Sequence, residues 1–241
     1  MPAMFVHLRT HTEFSVVDGT LRIDELAPAA RADGQPALAI SDLGNLFGAI
    51  KFYKACRGKG VKPLIGVDVW MEPQEGGEKL PSRLLLLVQD SQGYLNLSEL
   101  LARGWTKNVQ RTTAWVKWDW LRELGGGLIA LSGADGGAVG QALLAGDGER
   151  AALLARQLAE LFPGRFYLEL QRAGLPTNEA HVRAAVPLAA QLGLPVVATH
   201  PVQFMAPDDY EAHEARVCIA EGETLANPKR VKRFTREQYF K

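Results

Sequence analysis

The sequence is poor in cysteine, in net charge and in long apolar runs, and each shortage narrows the possibilities. Cys56 and Cys218 are the only cysteines, far apart and in no CxxC pair. That suits a reducing cytosol, with both thiols acting as small buried hydrophobes. Lys plus Arg and Asp plus Glu balance at 27 each. A neutral chain gives no overall signal for DNA, membrane or acidic ligands. No apolar run approaches the roughly 20 residues of a membrane span. The N-terminus lacks a basic segment followed by an apolar one, so no signal peptide is expected. The expectation is a cytoplasmic globular protein, and 241 residues suffice for a single α/β barrel.

Short apolar runs alternate with longer amphipathic ones. The short runs predict strands over Met4–Leu8, Ala37–Ser41, Leu64–Val67, Leu84–Val88, Leu128–Ser132, Phe166–Leu170 and Val196–Thr199. Helices are expected over Ile23–Ala32, Leu46–Arg57, Tyr94–Ala102 (capped by Ser91), Ala151–Leu161 and Asn178–Leu192. Such alternation implies a mostly parallel sheet with helices outside, and about seven units in one domain favour a barrel over an open sheet. Two regions break the rhythm. Pro73–Pro81 is rich in Gly and charge and reads as an exposed loop. Trp105–Trp120 holds four of the five tryptophans and reads as a helical excursion packed on the barrel, with a binding surface as the alternative. The run Pro228-Lys229-Arg230-Val231-Lys232-Arg233 is basic. It reads as a solvated linker toward a further domain more than as a nucleic-acid patch. The domain division is therefore a barrel over 1–225 and a basic connector over 226–241.

In a parallel barrel, chemistry sits at the C-terminal ends of strands. There this sequence places His7-Leu8-Arg9-Thr10-His11-Thr12, then Asp18, Asp42, Asp68 and His200. Imidazoles at alternate positions with carboxylates nearby are what a hydrolytic metal site needs. Arg9 does not fit, because a guanidinium has no acceptor and a permanent positive charge. The plainer reading is that Asp18 and Asp42 cap turns and the histidines are satisfied loop residues.

The segments FVHLRTHTEFSVVDG, PALAISDLGNLFGAIKFYKAC, GVKPLIGVDVW, GYLNLSELL, GLIALSG, RFYLELQRAG, LPVVAT and AHEARVCIAEGETLANPKR carry a resemblance. In this order they are similar to the PHP (polymerase and histidinol phosphatase) domain that opens the alpha subunit of bacterial DNA polymerase III. The resemblance covers nearly the whole chain. It implies a distorted (β/α)7 TIM-like barrel. In active members of the family, nine ligands hold up to three metal ions for phosphoester hydrolysis.

Carried over by position, the resemblance implies that most of those ligands are lost. The HxH pair becomes Arg9 and His11, Asp18 is kept, and the Asp-His pair becomes Asp42-Leu43. A glutamate becomes Asp68, a histidine Arg83, a Cys or His Ala134, and the closing Asp-x-His becomes Pro201 and Gln203. His200 stands one position before that closing pair and is expected to be a hydrogen-bonded or solvent-facing loop residue, as His7 is expected to be packed or hydrogen-bonded. The expectation is an empty, vestigial metal site with no catalytic residues, in which Arg9 and Arg83 pair with Asp18 and Asp68. No cofactor is then expected in this domain. Zn or Mn would belong to a residual phosphoesterase, such as a 3′–5′ exonuclease or pyrophosphatase, and Mg to a parent polymerase. The implied role is structural support and docking of a proofreading exonuclease (epsilon) subunit. The implied partners are the rest of the alpha chain, that exonuclease, the other holoenzyme subunits and, through the parent, DNA, with no membrane.

Overall fold

The computed structural model describes residues 5–74 and 80–241. In chain order its strands are β1 (Arg9–Thr10), β2 (Ala37–Ile40), β3 (Lys62–Met71), β4 (Ser82–Val88), β5 (Val109–Gln110), β6 (Thr113–Val116), β7 (Leu128–Leu131), β8 (Phe166–Gln171), β9 (Val196–Thr199) and β10 (Pro201–Val202). Its helices are α1 (Ile23–Ala32), α2 (Ala49–Lys59), α3 (Ser91–Lys107), α4 (Trp118–Leu124), α5 (Ala138–Leu144), α6 (Gly148–Leu161), α7 (Pro176–Leu192) and α8 (Tyr210–Glu221). They fall into two compact units. One holds the chain up to residue 65 with 172–175 and 200–241, and the other holds 66–171 and 176–199.

In the first unit β1 pairs in parallel with β10, Arg9 opposite Pro201. β2 pairs in parallel with the start of β3, from Ala37 opposite Lys62 to Ile40 opposite Ile65. The strand expected over Met4–Leu8 is displaced. Met4 lies outside the described residues, and regular pairing is confined to Arg9–Thr10. Toward β2, Ala39 N–H donates to the His7 carbonyl and Ser41 N–H to the Thr10 carbonyl, both at 2.9 Å, while Thr10 N–H donates to the Ser41 hydroxyl at 2.8 Å in place of a backbone carbonyl. The core follows from helical spacing. Ile23, Leu26, Ala27 and Ala30 of α1 meet Phe52 and Cys56 of α2 and Leu38 and Ile40 of β2. Burial pushes the Cys56 thiol up to about 11, which leaves it inert. α2 stops where Gly60 takes a φ of 70°.

Part of the segment 226–241 expected to be a solvated connector packs on the first unit. Phe234 and Gln238 are buried. Phe240 N–H donates to the Phe204 carbonyl at 3.1 Å, and Gln203 N–H to the Gln238 carbonyl at 2.8 Å. The Arg230 guanidinium pairs with Glu214 of α8, their side chains only 4% and 2% exposed. Lys229, Lys232 and Arg233 stay exposed.

In the second unit the strand order is β5-β6-β3-β4-β7-β8-β9. β3–β6, β7–β8 and β8–β9 are parallel, whereas β3–β4, β4–β7 and β5–β6 are antiparallel. The expected mostly parallel sheet is therefore mixed. The sequence between β3 and β4 is a connection of 72–81 with no described helix, and a parallel return needs a crossover that a helix usually supplies. The expected loop Pro73–Pro81 has its centre, 75–79, outside the described residues.

The Trp105–Trp120 excursion is not helical throughout: α3 ends at Lys107, β5 and β6 form a hairpin, and α4 begins at Trp118. Trp115 pairs against Trp70 of β3, which ties the hairpin to the sheet. α3 begins earlier than expected, and Asp90 rather than Ser91 caps it, accepting from Gly93 N–H at 2.9 Å. Asp90→Ala should cost about 1 kcal/mol in a urea melt. Gly93 is fixed by contact, because a Cβ there would lie 1.9 Å from the Gly127 carbonyl oxygen. Among the described residues no helix is long and apolar enough to cross a membrane.

Candidate functional site

The residues singled out from the sequence are shared between the two units. Arg9, His11, Asp18, Asp42, Leu43, His200, Pro201 and Gln203 lie in the first, and Asp68, Arg83 and Ala134 in the second.

In the first unit Arg9, His11 and Asp18 are all buried along the segment that leaves β1. His11 N–H donates to the Val202 carbonyl at 2.9 Å, and its Nδ1 lies 3.9 Å from the Asp18 carboxylate. Gly19 is required beside them, since a Cβ would lie 2.4 Å from the His11 carbonyl oxygen. Asp42 is 1% exposed and serves as a clamp. One oxygen accepts from Thr12 N–H and the Ser15 hydroxyl, both at 2.6 Å, and the other from the Thr12 hydroxyl at 2.8 Å. Burial pushes its carboxyl above the usual range, and the Ser15 and Thr12 donors pull it back. These bonds hold the turn Glu13–Ser15, and Leu43 N–H donates to the same Ser15 hydroxyl at 3.1 Å.

The histidines have structural partners. His7 donates from Nε2 to the Lys241 carbonyl at 2.8 Å and packs against Phe240 at 4.8 Å. His200 donates from Nε2 to the Tyr239 carbonyl at 3.0 Å, and burial pushes it down to about 4. His213, not singled out from the sequence, reaches the Asp18 carbonyl at 3.2 Å, and burial lowers its pKa. Pro201 and Gln203 hold the backbone: Pro201 opposes Arg9, and the Gln203 carbonyl accepts from Thr20 N–H at 2.9 Å.

In the second unit Asp68 is fully buried on β3, and Arg83 of β4 donates to it at 2.6 Å. The Arg83 guanidinium also lies 4.4 Å above the Trp70 ring. Ala134 is buried in a short turn at a φ of 50°. Sequence reasoning passed over Glu169 on β8, also fully buried. It accepts from the Thr199 hydroxyl at 2.5 Å, Gln171 Nε2 at 3.0 Å and Gly133 N–H at 3.1 Å. The signal was available: a glutamate inside the apolar run Phe166–Leu170 has to be bonded where it is buried. Among the described residues no group of three or more His, Cys, Asp and Glu side chains is placed to hold a metal.

These strands and the motifs at their ends define a class: the chain belongs to the PHP domain family, whose model matches residues 7–173. It has the family's TIM-like α/β fold. Its full-length relatives are particular proteins of that class. It is 46% identical to DNA polymerase III subunit alpha of Pseudomonas aeruginosa over 100% of this chain and 20% of that protein. It is 41% identical to the Escherichia coli K12 protein of the same name, over 98% of this chain and 20% of that one. The chain thus spans about a fifth of these relatives. Two solved structures share the fold. A proposed metal-dependent phosphoesterase of Bifidobacterium adolescentis aligns with a TM-score of 0.54 at 16% identity, over 82% of this chain and 87% of that one. An amidohydrolase of Chromobacterium violaceum, with bound sulfate and no metal, aligns with a TM-score of 0.53 at 14% identity, over 88% and 96%.

Proposed function

We propose that the chain is the N-terminal PHP domain of a cytoplasmic replicative DNA polymerase III alpha subunit. In this reading it hydrolyses nothing, supports the polymerase core and docks a separate proofreading exonuclease (epsilon) subunit. The rest of the alpha chain and the other holoenzyme subunits are its further partners, and DNA is met through the parent. The observation that carries the reading is chemical. At Arg9, Leu43, Arg83, Ala134 and Pro201 the side chains have no atom that ligates a cation, Gln203 offers only a neutral amide oxygen, and Asp68, which can ligate, is already engaged by Arg83. Buried Arg9 opposes a dication in the first unit, where screening is weaker than in water, and half-buried Arg83 opposes one beside Asp68 in the second. The residues present do not fit the family's metal cluster, so no hydrolytic step is assigned to them. Mg belongs to nucleotidyl transfer elsewhere in the parent.

A second reading, a residual phosphoesterase using Zn or Mn, is favoured only by His11 and Asp18, whose Nδ1 and carboxylate oxygen lie 3.9 Å apart, near enough to bind one metal ion. One comparison separates the two. With Mn or Zn added, wild type and Arg9→His should both hydrolyse a chromogenic phosphoester no faster than buffer, because Arg9→His leaves the other losses in place. The chain should also retain the proofreading subunit in a pull-down. Wild-type hydrolysis that a chelator abolishes, or about one bound Zn or Mn per chain by atomic absorption, would sink the inactive reading.

A further inference from the structure

We propose that a cationic recess in the first unit, lined in part by Lys51, binds a phosphate group, using Thr20, Arg22 and Arg216 beside Phe14. None of these positions is among those carried over from the family's metal cluster. The recess is about 550 Å³ and is lined by these five residues and Glu13.

The charges there are unequally spent. Lys51 is shared between Glu13 at 3.2 Å and Asp24 at 2.9 Å, so that corner is already neutralised. The arginines are not. Among the described residues neither Arg22 nor Arg216 has a carboxylate partner. Arg216 commits Nη1 of its guanidinium to the Gly19 carbonyl at 3.1 Å, which tethers one arm of the planar fork and leaves Nη2 and Nε to donate elsewhere. Arg22 stands exposed at the foot of α1. The Thr20 hydroxyl adds a half-buried donor whose bond to the Gln203 carbonyl is long, 3.5 Å.

The Arg22 fork, the remaining N–H groups of Arg216 and a hydroxyl around an open recess match the tetrahedral oxygens of phosphate, which accepts several bonds at once, better than the two oxygens of a carboxylate. Phe14 gives the recess an apolar wall against which a sugar or base attached to the phosphate can lie. The ligand class is therefore a phosphate monoester or diester, free or at the end of a nucleic acid.

The test is calorimetric titration of the full chain with inorganic phosphate, acetate, and a tetradeoxynucleotide with and without a 5′-phosphate. Saturable phosphate binding that weakens with salt is expected, with acetate at least tenfold weaker, on the order of a lost charge-assisted bond. Arg22→Gln should weaken phosphate binding roughly tenfold, and Arg22→Gln/Arg216→Gln should abolish it. Arg22 is exposed, so its replacement leaves the fold intact even where the loss of Arg216 from Gly19 does not. Tighter binding of the 5′-phosphorylated oligonucleotide than of inorganic phosphate would identify a nucleic-acid end as the source, and equal binding a free phosphate. Absence of saturation, equal binding of acetate, or unchanged affinity in Arg22→Gln would overturn the proposal.

Discussion

Replacing Arg230 by leucine lowers the stability of the chain by about 3–5 kcal/mol, the usual cost of leaving a buried charge without its partner. Glu214 has a side chain 2% exposed and sits on α8, where Arg230 from the tail is its ion-pair partner. Coulomb attraction in that setting offsets a desolvation cost of several kcal/mol per ion, so the surviving carboxylate is the expensive species. The double variant Arg230→Leu/Glu214→Leu removes both charges and should recover most of the loss, since apolar groups of similar volume often replace such pairs at little cost. Urea melts of the wild type, both single variants and the double variant give the coupling energy directly. A loss below about 1 kcal/mol for Arg230→Leu would show that the pair is solvated and that the tail is not anchored through it.

That pair also marks a limit of the sequence. Arg230 sits in a run of four cations, and local composition favours solvent for all of them. Its partner is sixteen positions away on a helix that the apolar pattern did not disclose, so only tertiary contact separates Arg230 from Lys229 and Lys232. α1 was legible to the residue because its apolar spacing is regular and Gly34 follows closely. β3 was read as Leu64–Val67 but extends to Met71, because Asp68 interrupts the apolar run and its charge is met by Arg83 across the sheet. The β5–β6 hairpin gave no signal, since its turn places Arg111 rather than glycine at a φ of 58°. In the site, the residue types were visible: an arginine cannot ligate a metal in any fold. What Asp42 does was not visible, because its three donors come from Thr12 and Ser15, about thirty residues earlier.

The second large effect is on acid stability, and it arises where the tail meets buried imidazoles. His200 is held neutral, its pKa pushed down to about 4 first by burial and then by the Lys241 charge. His7 and His213 are lowered by the same burial. The unfolded chain binds a proton at each of these sites near the ordinary value of about 6.5, while the folded chain refuses it. Stability from His200 is therefore complete above about pH 6.5 and is lost as the pH falls toward 4. At pH 4.5 the loss from this residue alone is on the order of 2–3 kcal/mol. His7 and His213 add in the same direction. Asp42 acts oppositely, since its raised pKa lets the folded chain take up a proton first as the pH falls. The difference between wild type and His200→Gln isolates the histidine, because Asp42 is common to both. Glutamine can still donate toward the Tyr239 carbonyl but cannot be protonated, so its urea midpoint should fall less between pH 7.5 and 4.5 than that of wild type. The same slope in both proteins would mean that His200 does not carry the acid response. A steeper slope in His200→Gln would mean that the imidazole gains rather than loses a proton partner on folding.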